Sequence, residues 1–375
     1  MASDQWPVVS DQFWKVLGHK IRCSSISTCT IILLATDHWP LDDNRKHKTL
    51  TLRTAVIGVG HLGRQHARIH SDLATEGLAE FVTVCDLDEK TAQAIAAERK
   101  VDWTSDWRKL IGRVDAVSLA VPTESHSRIA LGLLDAGIHV LVEKPIARTL
   151  AEADEMIAAA AKSGALLQVG HLERFNPALV ALRPHVRNPV YFEIHRVGEF
   201  TARSLDIDVV LDLMIHDLDI VQWLVGEDVE VTELHAVGIP ILTNKVDAAN
   251  ARVEFSSGAV ANITASRVGT EKIRKMRFFQ PHDYVAIDYA TKHASISNLA
   301  PPTAEGAWPG VHTKTLVIVD VEPLRAEILA FVTAVRDHQP PAVSGLEGRN
   351  ALALALRALE RIEQHAGKVK VGSVA

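Results

Sequence analysis

Three side chains have the chemistry to move a proton to or from a hydroxyl group: Lys144, Asp212 and His216. Lys144 stands in Glu143-Lys144-Pro145, directly after the apolar run Ile138-His139-Val140-Leu141-Val142. That run reads as a buried parallel strand, which places Lys144 at its carboxyl end. In open α/β sheets ligands bind outside that edge. A lysine there can transfer a proton or donate a hydrogen bond to a substrate hydroxyl; it can also be a buried ion-pair lysine beside Glu143. Asp212 and His216 lie four residues apart in a helix predicted over residues 209–225. That spacing puts them on one helix face with Cβ atoms about 5–6 Å apart. A carboxylate neighbour can fix the orientation of an imidazole. The pair suits a base that takes a hydroxyl proton while a hydride leaves the same carbon. Asp217 and Asp219 crowd the same helix, so the pair also reads as part of a solvated acidic face. No metal is expected: Asp217 points about 100° away from His216 on a helix, and no His-x-x-Glu-His or cysteine pair supports zinc. No Gly-x-Ser-x-Gly elbow points to a serine nucleophile.

A second constellation fits a dinucleotide. Gly58-Val59-Gly60-His61-Leu62-Gly63 matches G-x-G-x-x-G, follows a predicted strand and opens a predicted helix, the context the motif requires. Gly58 permits the tight turn, Gly60 admits a pyrophosphate close to the backbone, and Gly63 allows close helix–strand packing. The N–H groups at His61 and Leu62, in the helix start, face the phosphates. Asp86 ends the next strand, 23 residues after Gly63, where a carboxylate can bind both ribose hydroxyls and repel a 2′-phosphate. NAD is therefore expected over NADP; the other reading of Asp86 is a helix cap. Pro122 and Thr123 end a further strand and, with Glu143 and Lys144, would lie on the nicotinamide side. His126 opens the following helix and reads either as a backbone-bonding residue or as a ligand contact.

The elements that must position these groups follow from apolar periodicity. Short strands at 53–58, 81–86, 116–121, 138–142 and 165–170 alternate with helices at 62–73, 89–99, 127–136 and 151–162. This pattern implies βαβ units and a parallel sheet covered on both faces. After Asn176 the rhythm changes to β-like stretches at 190–197, 229–237, 248–255, 259–267, 275–280 and 284–288, with Ser256-Ser257-Gly258 as a hairpin turn. Consecutive strands with short turns imply a mainly antiparallel sheet, hence a second, α+β domain. Residues 300–310 read as a loop, and helices close the chain at 323–338 and 346–365. The expected division is a poorly ordered extension over 1–50, a nucleotide domain over 51–172 and a second domain over 173–375, with the last helices packing back on the first. The length of 375 residues suits two such domains. A formal charge of −6 without a basic stripe argues against nucleic acid. The apolar runs are shorter than the ~20 residues of a membrane span. Three cysteines, Cys23, Cys29 and Cys85, show no paired spacing, so a reducing cytoplasm is expected.

The glycine fingerprint, Pro122-Thr123-x-x-His126, Glu143-Lys144-Pro145 and Asp212-x-x-x-His216, in this order, resemble the Gfo/Idh/MocA oxidoreductase family over residues 52–370. The resemblance implies a Rossmann domain followed by an α/β domain with an open, largely antiparallel sheet. It also implies a homodimer or homotetramer formed through that sheet, and NAD(P)-dependent oxidation or reduction of a sugar or cyclitol carbon. It places Lys144, Asp212 and His216 on the family's catalytic positions. Gly170-His171-Leu172-Glu173-Arg174-Phe175-Asn176-Pro177 and the residues 208–217 resemble the branch that oxidises carbon 3 of UDP-N-acetylglucosamine. In that branch a PLP-dependent aminotransferase consumes the 3-keto nucleotide sugar on the way to lipid A. Arg174 and Asn176 then read as substrate contacts together with Lys144, Asp212 and His216. Their alternatives are an ion pair for Arg174 and a helix cap for Asn176. Another sugar, a uronic acid derivative or an inositol is the alternative substrate; a non-catalytic NAD-sensing protein is the alternative class.

Overall fold

Six strands form the first sheet: β1 (Arg53–Ile57), β2 (Glu80–Cys85), β3 (Asp102–Thr104), β4 (Ala116–Leu119), β5 (His139–Glu143) and β6 (Leu167–Gly170). The computed structural model describes residues 51–199, 207–226, 228–300 and 309–367. The predicted extension 1–50 and positions 301–308 of the predicted loop lie outside them. The strand order is β3-β2-β1-β4-β5-β6, and every pairing is parallel. Helices α1 (His61–Thr75), α2 (Glu89–Arg99), α3 (His126–Asp135) and α4 (Leu150–Ser163) connect the strands. The order reverses between β1 and β4, so a crevice opens at their carboxyl ends. Val117, Val140, Leu141 and Val142 are buried. Burial on both faces is why these strands read as continuous apolar runs rather than alternating ones.

The second sheet has eight strands: β7 (Tyr191–Glu199), β8 (Val231–Ile239), β9 (Ala248–Phe255), β10 (Val260–Gly269), β11 (Ile273–Gln280), β12 (Asp283–Asp288), β13 (His293–Ala300) and β14 (Gly310–Thr315). Their order is β14-β13-β12-β11-β7-β10-β9-β8. All pairs are antiparallel except β7–β10. The remaining helices are α5 (Pro177–Leu182), α6 (Ile215–Val225), α7 (Pro323–Arg336) and α8 (Gly345–Ala366). One face of the sheet packs its alternate residues, among them Phe192, Ile194, Ile263 and Phe278, against Leu218 and Val221 of α6 and Ala355 of α8. The other face carries an aromatic row, Tyr191–Phe279–Tyr284, with ring centroids 6.1 Å and 5.2 Å apart.

Of the two closing helices, one packs on the first sheet and its helix α1, and the other ties the two sheets together. In α7, Ile328, Phe331 and Val332 pack on Ile69, Leu73 and Leu141. In α8, Leu352 joins the core of the parallel sheet, while Ala355 and Ala358 join that of the second.

The predicted helix 209–225 is not one regular helix: a single π-turn, Val210–Met214, precedes α6. Three strands carried no legible signal. β3 is three residues long with two of them exposed, and β14 is exposed throughout. β13 alternates too weakly to mark a buried face.

Candidate active site

The glycine loop turns from β1 into α1 with the geometry its residues require. Gly58 has φ +82°, and a Cβ there would meet the Ala120 carbonyl oxygen at 2.6 Å. A Cβ on Gly63 would fall 1.7 Å from the Gly58 oxygen, so the helix sits this close only because residue 63 has no side chain. A Cβ on Gly60 would meet nothing within 4 Å, so the backbone there faces open space. The start of α1 has no side-chain cap and no acidic residue in its first turn. A helix start of this kind suits an anion. Asp86 accepts from the Val59 N–H at 2.7 Å and from the Asp88 N–H at 3.0 Å. The carboxylate thus braces the loop from the position expected of a ribose ligand. An open cradle at Gly60, an uncapped helix start and this carboxylate fit a dinucleotide. Gly58, Gly60, the amides of His61 and Leu62, Gly63 and Asp86 would hold it.

Pro122 is exposed and Thr123 half-buried at the end of the β4 segment, on the same edge. His126 is buried, with Nε2 2.9 Å from the Val121 carbonyl and Nδ1 3.0 Å from the Pro145 carbonyl. Burial lowers its pKa, and as a neutral ring it donates to one of these carbonyls at a time. Of its two readings, the backbone-bonding one describes this geometry: His126 ties the β4 loop to the Lys144-Pro145 turn. Glu143 points inward, 2.9 Å from His66 Nε2, and accepts from the Lys144 N–H at 3.3 Å. It forms the floor behind the lysine.

Lys144 reaches across to the second half of the chain. Its Nζ donates to the Asp212 main-chain carbonyl at 2.7 Å and to the Asp212 carboxylate at 3.4 Å. The π-turn presents both acceptors to the lysine; such single-turn widenings recur at functional sites. The turn is pinned at its start, where Asp208 accepts from the Val246 N–H at 2.8 Å. The four-residue spacing therefore does not produce an Asp212–His216 hydrogen bond; Asp212 serves Lys144.

His216 is half-buried, and its Nδ1 is enclosed without a hydrogen bond. Burial first, then the charges of Lys144, Arg196, His171 and Arg274, push its pKa well below 6.5. It is a neutral imidazole at neutral pH.

Sequence reasoning passed over His171. Gly170 pairs with Glu143 across β5–β6, so His171 follows beside Lys144; strand register was the available signal. The His171 ring stands edge-on to His216, centroids 6.5 Å apart, with Nδ1 3.7 Å from Asp219.

Arg174 and Asn176 do not open onto the site. Arg174 is buried and gives two hydrogen bonds to Asp219, at 2.8 and 2.6 Å, and one to Glu347. Asn176 caps α5 by accepting from the Ala178 N–H at 3.1 Å. Both side chains take the structural alternatives named above. The turn that holds Arg174, residues 172–175, packs on α6 and so lies next to the site. Asp217, which the sequence offered as solvated, is fully buried and bound by Arg196 at 2.8 and 2.7 Å. Among the described residues no group of three or more His, Cys, Asp or Glu could hold a metal ion.

A dinucleotide cradle facing a lysine, a carboxylate and a neutral imidazole defines a nicotinamide-dependent alcohol dehydrogenase. Residues 52–171 match the model of the oxidoreductase family with the NAD-binding Rossmann fold, and residues 179–279 that of the GFO/IDH/MocA C-terminal domain. The chain belongs to the GFO/IDH/MocA family: it is an NAD-binding oxidoreductase acting on CH–OH donors. It is 37% identical over 313 residues to UDP-N-acetylglucosamine 3-dehydrogenase of Acidithiobacillus ferrooxidans, spanning 83% of this chain and 97% of that one. A solved structure of that enzyme matches with a TM-score of 0.78 over 84% of this chain and 98% of the other. Myo-inositol 2-dehydrogenase of Thermotoga maritima is 27% identical over 349 residues, 84% of this chain and 97% of its own length.

Proposed function

We propose that this dehydrogenase oxidises the carbon 3 hydroxyl of UDP-N-acetylglucosamine to a ketone. The observation that carries the reading is the 37% identity, over almost the whole of that relative, to an enzyme named for this reaction. The catalytic groups are Lys144, Asp212 and His216. Bound NAD supplies the acceptor for the two electrons and the hydrogen that leave carbon 3. Lys144 donates a hydrogen bond to the oxygen of that carbon, and Asp212 holds the ammonium in place. His216, kept neutral, takes the hydroxyl proton as the carbonyl forms. Sequence reasoning left the base open between Lys144 and His216. A neutral imidazole can accept a proton, whereas the Lys144 ammonium already donates to Asp212; this supports His216 as acceptor and Lys144 as donor.

The 3-keto product suits amination, so a PLP-dependent sugar aminotransferase is the partner in sequence. The aromatic row Tyr191–Phe279–Tyr284 on the open sheet face, with Phe279 44% exposed, supports pairing of subunits through that face. A cytoplasmic site of action belongs to the reading, since three cysteines without paired spacing suit a reducing compartment. The division into a nucleotide half, 51–172, and a substrate half, 173–375, completes the reading.

The test is NADH formation with UDP-N-acetylglucosamine, UDP-glucose and myo-inositol. Turnover with the first is expected to exceed the others. Lys144→Ala and His216→Ala are expected to lose about 10²-fold or more while keeping NAD affinity. Turnover of myo-inositol alone, or substantial turnover in both variants, contradicts the proposal.

A further inference from the structure

We propose that Arg274 holds the diphosphate of the substrate, an inference that rests on the nucleotide-sugar reading above. Arg274 lies on β11, directly across from Arg196 on β7. The two arginines are used differently. Arg196 is buried and spent within the protein: two hydrogen bonds go to Asp217, at 2.8 and 2.7 Å, and one to Glu173 at 2.7 Å. Arg274 is half-buried, and its guanidinium makes no hydrogen bond or ion pair with the described residues. Paired residues share a sheet face, so the Arg274 side chain lies on the face where Arg196 binds Asp217, the neighbour of His216.

A guanidinium partly withdrawn from water without a carboxylate is poorly compensated until an anion arrives. Its planar fork matches phosphate oxygens two at a time, and the bond is charge-assisted on both sides. In a nucleotide sugar the diphosphate hangs from carbon 1, two ring atoms from carbon 3. Its anchor must therefore lie near His216 without touching the reacting oxygen, which is the position of Arg274.

The test compares wild type and Arg274→Gln, both loaded with NAD and both checked by thermal melting. UDP binding is measured by titration calorimetry, with uridine as the phosphate-free control. The variant is expected to bind UDP about tenfold to hundredfold more weakly, to raise KM for UDP-N-acetylglucosamine by a similar factor, and to bind uridine and NAD as wild type does. Arg274→Lys should recover part of the loss, because a lysine restores the charge but not the fork. Equal UDP affinity in wild type and Arg274→Gln overturns the site, as does a wild type that binds no UDP. If UDP affinity depends on Arg274 while no nucleotide sugar is oxidised, the anion site stands and the substrate reading falls. Turnover of UDP-N-acetylglucosamine with unchanged KM in the variant does the reverse.

Discussion

At the scale of the residue, the site separates two basic groups that would repel each other if both were charged. Lys144 keeps its hydrogen bonds to Asp212, while His216 is held neutral by burial and by four neighbouring cationic or imidazole groups. The sign of the pH dependence follows. Protonated His216 cannot accept a proton, and its pKa is lowered, so kcat/KM should stay flat from pH 8 down to 6.5 and fall only at more acid pH. A pH–rate profile with NAD saturating checks this. A rise of kcat/KM with pH towards the usual lysine range, near 10, would make Lys144 the base instead. Lys144 was legible in the sequence because an apolar run ending in a charged residue marks a strand's carboxyl end. The roles of Asp212, Arg174 and Asn176 were less so. A 3.6-residue period does not announce the π-turn that gives Asp212 to Lys144. Nor does a charged residue in a motif announce that its partners, Asp219 and Glu347, lie 45 and 173 residues further along the chain.

At the scale of the element, the start of α1 depends on one missing side chain. Gly63→Ala places a Cβ 1.7 Å from the Gly58 oxygen, a backbone atom that can move away only if the whole loop shifts. Overpacking of this kind costs about 1–3 kcal/mol. The variant is expected to melt several degrees lower and to bind NAD at least about tenfold more weakly, read by calorimetry. Unchanged NAD affinity would show that the loop does not carry the phosphates. The elements of the parallel sheet could be read from sequence because burial on both faces makes them apolar throughout. β3 and β14 could not, since exposed edge strands are defined by main-chain pairing alone. The aromatic row on the second sheet was also hidden, because Tyr191 and Phe279, which meet across β7 and β11, are far apart in sequence.

At the scale of the whole molecule, the groups proposed to be catalytic come from both halves of the chain. Lys144 stands at the carboxyl edge of the first, and Asp212 and His216 come from the helical segment that packs under the second. The join between them is made by α8, which contributes to both cores. It is also made by Arg174, which follows β6 and binds Asp219 of α6 and Glu347 of α8 at once. Removing one partner from a buried pair of this kind costs about 3–5 kcal/mol, enough to loosen the approach of His216 to Lys144. Among the described residues no helix is long and apolar enough to cross a membrane. In the proposed reaction one hydrogen leaves carbon 3 of the sugar for the nicotinamide ring. UDP-N-acetylglucosamine deuterated at carbon 3, incubated with the enzyme and NAD, tests it by mass spectrometry of both products. The expected result is deuterated NADH and a 3-keto sugar that has lost the label. Unlabelled NADH, with deuterium retained in the sugar, would contradict it.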